Sequence, residues 1–213
     1  MSVVPELLRD AWFTDVGLTV ESSERFGGLV ARYREVHRHY HATSHVVSVL
    51  NHLPAVLEAE GIVADSRVAR SLRLALWYHD AIYDVHSPTN EADSAELAER
   101  ELRSLGLENA LCADVSRLVM ATKHPSSPQS IDEAIIIDVD LGILAASAEN
   151  YDRYVDQVRA EYAFVNDEDW RIGRSKVLQS FLDSDALFHT STGKQWETKA
   201  RENIRRERET LAV

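Results

Sequence analysis

A single cysteine, Cys112, excludes an internal disulfide framework in this 213-residue chain and suits a reducing cytoplasm, the expected location. Glycine and proline are sparse, at 8 and 5 residues. That is too little turn chemistry for a protein of many short strands, so long helices are expected instead. No apolar stretch approaches the ~20 residues that cross a bilayer. Met1-Ser2-Val3-Val4-Pro5-Glu6 lacks a basic segment followed by an apolar core, so no secretory signal is expected either. Positive charge is also short: 23 Lys and Arg face 35 Asp and Glu, a formal charge of −12. Such a surface repels a nucleic-acid backbone as a whole, although a local basic pocket can still hold a small phosphate.

What the chain does have is apolar residues, 45% of the total, recurring at helical spacing. Pro5–Asp15 reads as a first helix, with Pro5 in its first turn and Leu7, Leu8 and Trp12 as its stripe. A second follows the Thr19–Ser22 cap region and carries Phe26, Leu29, Val30 and Tyr33. Thr43 or Ser44 is the expected cap of a third, running through Val46, Val49, Leu53 and Leu57 to Gly61, with Pro54 bending it. Asp65 or Ser66 opens a fourth that ends in Leu76-Trp77-Tyr78-His79-Asp80-Ala81. Asn90 starts a fifth that stops at Gly106, and Asn109–Lys123 forms a sixth, ended by His124-Pro125. Residues 131–146 contain Ile135-Ile136-Ile137, β-branched enough for a buried strand. No second strand exists to pair with it, so a buried helix is expected. Helices over 151–164, 167–182 and 193–211 complete an all-α bundle of about ten helices in one domain spanning residues 1–213.

Chemistry concentrates at a few helix ends. Burying a charged group is costly unless it is paired or bound to a metal, and His79-Asp80 closes an apolar helix. Arg38-His39-Tyr40-His41-Ala42-Thr43-Ser44-His45 belongs to a stretch with four histidines in nine residues, 37–45. His37 and His39 alternate with arginine or tyrosine and read as solvated loop. His41 and His45, four apart, share a face if that segment is helical. Asp138 and Asp140 lie in the buried 131–146 segment. Two or three imidazoles with two carboxylates form a mixed N/O donor set. It suits Mn, Fe, Co, Ni or Mg more than a thiolate-type structural zinc.

The order of a His, a His-Asp pair and a distant Asp resembles the HD superfamily of metal-dependent phosphohydrolases, and nearly the whole chain takes part. Further pieces of the resemblance, to a bacterial subgroup of that superfamily, are Trp77–Asp84, Asn90-Glu91-Ala92-Asp93-Ser94-Ala95 and Thr122-Lys123-His124. Asp138–Leu144, Arg159-Ala160-Glu161-Tyr162, Gly173-Arg174 and Ala200–Ile204 complete it. The resemblance implies an HD-type helical domain with a metal-binding core over roughly residues 38–145 and C-terminal helices over 149–211 packed on it. It implies His45, His79, Asp80 and Asp140 as ligands of a divalent ion (Mn, Fe, Co, Ni, Mg or Zn). His41 and Asp138 are the alternates, Asp140 being preferred because the superfamily uses the second Asp of such Asp-x-Asp-Leu stretches. His86 and His124 fall where some members hold a second ion; one ion is favoured here.

The implied reaction is hydrolysis of a small phosphate ester, a nucleotide or related metabolite, by metal-activated water. Asp84, one turn beyond Asp80, and Glu91 are the candidates to orient water or protonate the leaving oxygen. Lys123 and Arg38 are the candidates to balance phosphate charge. Arg174 and Arg201 read as ion-pair partners of Glu161 or Glu202. The other functions weighed are a non-catalytic HD-fold nucleotide sensor and a di-iron oxygenase, the latter needing more ligands. The expected partner is a small phosphorylated substrate, with neither nucleic acid nor membrane; a homo-oligomer is compatible with the composition.

Overall fold

Helix starts follow side-chain capping, and several ends follow glycine. The computed structural model of the protein describes residues 6–123 and 127–212. Thr19 and Ser22 cap reciprocally: Ser22 N donates to Thr19 Oγ1 and Thr19 N to Ser22 Oγ, closing the first turn of α2 (Val20–Arg32). It follows α1 (Glu6–Val16). Ser66 Oγ accepts from Ala69 N at 3.2 Å and opens α4 (Arg67–Tyr78). Gly17, Gly61 and Gly106 take positive φ just past α1, α3 (Thr43–Ala59) and α5 (Asn90–Ser104). The expected Thr43 or Ser44 cap of α3 is not used. Ala42 is the N-cap, without a side-chain bond, because that turn is held from elsewhere in the fold, as described below. Pro54 is accommodated inside α3. Pro5, His124 and Pro125 lie outside the described residues.

The remaining elements are α6 (Asn109–Ala121), α7 (Ile131–Leu141), a single 3-10 turn (Gly142–Ala145), α8 (Ala148–Glu161), α9 (Asp167–Asp183) and α10 (Gly193–Leu211). The protein is an all-α bundle; among the described residues there are ten α-helices, no strand, and no helix long and apolar enough to cross a membrane. The 131–146 segment is helical, as expected, and Ala134 through Val139 are buried without a break. A helix apolar on every side has no amphipathic rhythm to distinguish it from a strand.

The bundle is built around α4. Helices α1, α3, α5, α6 and α7 all pack on it, and Leu72, Leu74, Leu76, Trp77 and Tyr78 are essentially inaccessible. Each such side chain contributes roughly 1.5–3 kcal/mol by leaving water. Trp12 meets Trp77 edge-on at 5.7 Å. Arg73, the polar residue within this stretch, reaches buried Asp15 of α1 at 2.6 Å. A second apolar cluster joins the 3-10 turn, α8, α9 and α10, and both clusters meet at Leu141 and Trp196. The C-terminal ends of α4 and α7 both lead to this seam.

Asp138 and Asp140 sit on nearly opposite sides of α7, since two positions along a helix turn ~200°. Asp138 is fully buried and accepts from His189 N, Thr190 N and Thr190 Oγ1. It thereby anchors the segment entering α10. The fit leaves no space at Gly193: a Cβ there meets the Asp138 carboxylate and Phe188 Cβ. Gly193→Ala is expected to lower stability by about 1–3 kcal/mol through overpacking, read from the urea midpoint.

Candidate metal centre

Four polar side chains converge where α3, α4 and α7 meet. His45 comes from the first turn of α3, His79 caps the C-terminus of α4, Asp80 follows it, and Asp140 lies in the last turn of α7. The two Nε2 atoms are 2.9 Å apart. Asp140 Oδ1 is 3.1 Å from His45 Nε2 and 3.5 Å from His79 Nε2. Asp80 Oδ2 is 3.1 Å from His79 Nε2 and 3.5 Å from His45 Nε2. Ligands held ~2.0–2.2 Å from one ion at tetrahedral or octahedral angles lie roughly 2.8–3.6 Å from each other. The spacings match that range, so the buried His45, His79 and Asp140 group is able to hold a metal ion, with Asp80 Oδ2 at ligand distance beside it.

The protonation pattern fits as well. His79 Nδ1 lies 3.0 Å from Leu76 O. A carbonyl only accepts, so Nδ1 carries a proton and Nε2 is the nitrogen that faces the cluster, where a bound ion would take its lone pair. Helices α4 and α7 both turn the negative ends of their dipoles toward this point. Burial disfavours charge on His79, yet the adjacent Asp80 and Asp140 raise its pKa well above the ordinary imidazole value. Burial likewise opposes ionisation of Asp80, but His79 and then His41 hold its carboxyl below the usual range. Two carboxylates in a desolvated site thus draw positive charge toward the imidazoles.

His41 stands beside this cluster rather than in it. Residues 33–42 form a loop rather than a helical turn, so the face-sharing expected from a four-residue spacing does not apply. His41 Nδ1 is 2.7 Å from Glu161 Oε2, and its ring stacks on Tyr83 at 4.2 Å. Tyr83 donates its hydroxyl to the same Glu161 oxygen at 2.8 Å. The other oxygen, Glu161 Oε1, accepts from the backbone N–H groups of His39, Tyr40 and His41 at 2.8–2.9 Å. One buried carboxylate therefore holds the turn before α3. Burial pushes the Glu161 carboxyl up, but these donors, His41 foremost, bring it down to about 2. Burial lowers the His41 pKa too, and is outweighed by Asp80, Glu161 and Asp140, so the net shift is upward.

The expected phosphate-balancing cations, Arg38 and Lys123, both donate to backbone carbonyls. Arg38 is almost wholly buried. Its Nη1 donates to His41 O and Asp80 O, Nη2 to Ala81 O and Nε to Glu35, between the rings of Tyr33 and Tyr83. It clamps the backbone that presents Asp80. Arg38→Met is expected to cost about 3 kcal/mol, because it leaves buried carbonyls without a donor; thermal unfolding of the metal-free protein measures it. Lys123 is exposed and donates to Pro88 O. Arg174 pairs with Glu207 and Arg201 with Glu197, in place of the expected Glu161 and Glu202.

Asp84 is exposed, and its Oδ1 accepts from His86 N. Asn90 brackets it, accepting from Asp84 N and donating to Asp84 O. Asp84 and half-buried Glu91 both line a cavity of about 630 Å³ that reaches Asp140 and His41. His86 is exposed and its ring lies against Phe164 at 4.3 Å; His124 lies outside the described residues. Reading the chain missed Glu161 as a positioning group. Glu161 is one of four acids in α8, with Glu149, Asp152 and Asp156, and nothing local marks it out. No protein-family model, curated protein or solved structure matches this chain.

Proposed function

We propose that the protein is a metal-dependent phosphohydrolase of the HD type, acting on a small phosphate ester. The observation that carries the reading is the convergence of His45, His79 and Asp140 from three separate stretches of chain, with Asp80 Oδ2 within 3.5 Å of both imidazole Nε2 atoms. One such donor group occurs among the described residues, which supports a single ion. A divalent ion held there supplies Lewis acidity toward a phosphoryl oxygen and a water of lowered pKa.

The chain's own contribution is to orient and to move protons. His79 Nδ1 spends its proton on Leu76 O and keeps Nε2 a donor ligand. Arg38 fixes the Asp80 backbone. His41 is held at Nδ1 by Glu161, and against the opposing effect of burial Asp80, Glu161 and Asp140 raise its pKa. Its Nε2–H serves as the general acid for the leaving oxygen as the P–O bond breaks. Asp84 and Glu91, expected to orient water or protonate the leaving oxygen, line the same cavity.

Metal analysis of the purified protein, joined to a panel of phosphomonoesters, cyclic nucleotides and nucleoside triphosphates, tests the reading. A bound divalent ion and metal-dependent phosphate release are expected. An ion retained without hydrolysis of any ester would replace it with the nucleotide-sensing module, and absence of any divalent binding would remove the metal centre.

A further inference from the structure

The cavity beside the metal-donor cluster has a composition that selects among phosphate esters. Its volume, about 630 Å³, falls within the ~300–1,000 Å³ of small-molecule sites. Its inner wall is apolar and aromatic, with Leu144, Tyr154, Val158, Tyr162, Trp170 and Phe181. Tyr162 and Trp170 are 5.5 Å apart. Its ionisable lining is acidic: Asp84, Glu91 and Asp169, besides Asp140 at the inner end. Of the basic side chains in the lining, His41 sits at the inner end, and Arg174 is committed to Glu207 and the Tyr154 hydroxyl. A second cavity of about 500 Å³ opens at His45 and shares Tyr40 and Tyr154 with the first; its wall mixes apolar Ile143, Ala145 and Trp196 with polar Ser44, Ser48, His52 and Arg153.

Resting on the phosphohydrolase reading, we infer that this chamber takes an aromatic group, uncharged or cationic, joined to a single phosphate. The phosphate lies at the inner end, at Asp140 and His41, where a divalent ion held by the donor cluster would offset its charge. The ring is buried against Tyr162 and Trp170. A second negative group on the ring would face Asp84, Glu91 and Asp169, with His41 taken up by the phosphate and Arg174 by Glu207. Nucleoside polyphosphates and sugar bisphosphates are therefore poor ligands of this chamber, while nucleoside monophosphates, cyclic nucleotides and aryl or aminoalkyl-aryl phosphates share the right chemistry.

Phosphonates resist hydrolysis, so binding is measurable apart from turnover. Calorimetry on the metal-loaded protein compares methylphosphonate, phenylphosphonate, 4-carboxyphenylphosphonate and 4-(aminomethyl)phenylphosphonate. Phenylphosphonate is expected to bind ~10–100-fold more tightly than methylphosphonate, as burial of a ring gives. The carboxyl derivative should lose ~100-fold against the phenyl compound, as a like-charge contact gives; the ammonium derivative should lose nothing. Trp170→Ala should bring the phenyl-to-methyl ratio to about one, and Glu91→Gln combined with Asp169→Asn should restore the carboxyl derivative. Equal binding of methyl and phenyl compounds, or of phenyl and carboxyphenyl compounds, overturns the inference. So does preferred binding of the anionic ring lost in Arg153→Ala, which would assign it to the second cavity. If phenylphosphonate binds as expected but no ester is hydrolysed, the chamber stands and the hydrolase reading falls. Turnover of esters without any phenyl preference gives the reverse.

Discussion

Asp80→Ala is expected to lose the divalent ion and phosphoester hydrolysis together. Metal affinity should drop by more than the ~10–100-fold that removal of an outer hydrogen-bonding partner costs, because a ligand in contact with the ion is gone. Turnover should fall with occupancy. The fold should survive: Arg38 contacts the backbone oxygen of residue 80, not its carboxylate, and the flanking Ala81 and His79 remain buried. Stability separates the two effects. A ligand that binds only the folded state adds ~2.7 kcal/mol at one hundred times its Kd, so the wild-type melting temperature should rise with added Mn²⁺ while that of Asp80→Ala stays flat. The metal-free variant should unfold somewhat earlier than the metal-free wild type, since the carboxylate that, despite burial, His79 and His41 hold ionised has been removed. Asp80→Ala with full metal occupancy would reject the ligand assignment.

The readable part of this molecule is the part governed by local rules. An apolar helix ending in His79-Asp80 announces its own buried polar terminus, and α4 is indeed the helix that five others cover. The choice between Asp138 and Asp140 is also local in principle. Two positions on a helix point in nearly opposite directions, so only one of them can face His45 and His79. What stayed hidden depends on residues distant in the chain. Arg38 looked like a phosphate ligand because arginine usually is one near such a site. It is instead spent on carbonyls more than forty positions onward. The start of α3 was sought in Thr43 and Ser44, whereas the turn is captured by Glu161, some 120 positions away. An acid that accepts from three consecutive N–H groups leaves no local trace, because the groups it satisfies are backbone and identical at every residue.

His41→Ala is expected to lower kcat by a factor of ~10²–10⁴, the range for loss of a positioned proton donor, with the metal retained. The size of the loss should depend on the leaving group. An alkyl phosphate expels a strongly basic alkoxide and needs the His41 proton, so it should suffer the full loss. 4-Nitrophenyl phosphate expels a weakly basic phenolate and should lose tenfold or less. Glu161→Gln tests the positioning residue behind it. An amide nitrogen at Oε2 has no lone pair for the His41 Nδ1–H or the Tyr83 hydroxyl, so the ring loses its orientation and the carboxylate that raises its pKa. The rate should fall less than in His41→Ala, and the alkaline limb of the pH–rate profile should move to lower pH, because a less stabilised imidazolium deprotonates earlier. Loss of metal in His41→Ala would make His41 a ligand, the alternate to His45. An equal loss for alkyl and nitrophenyl esters would remove it as the acid and return that role to the carboxylates of Asp84 and Glu91 along the same cavity wall.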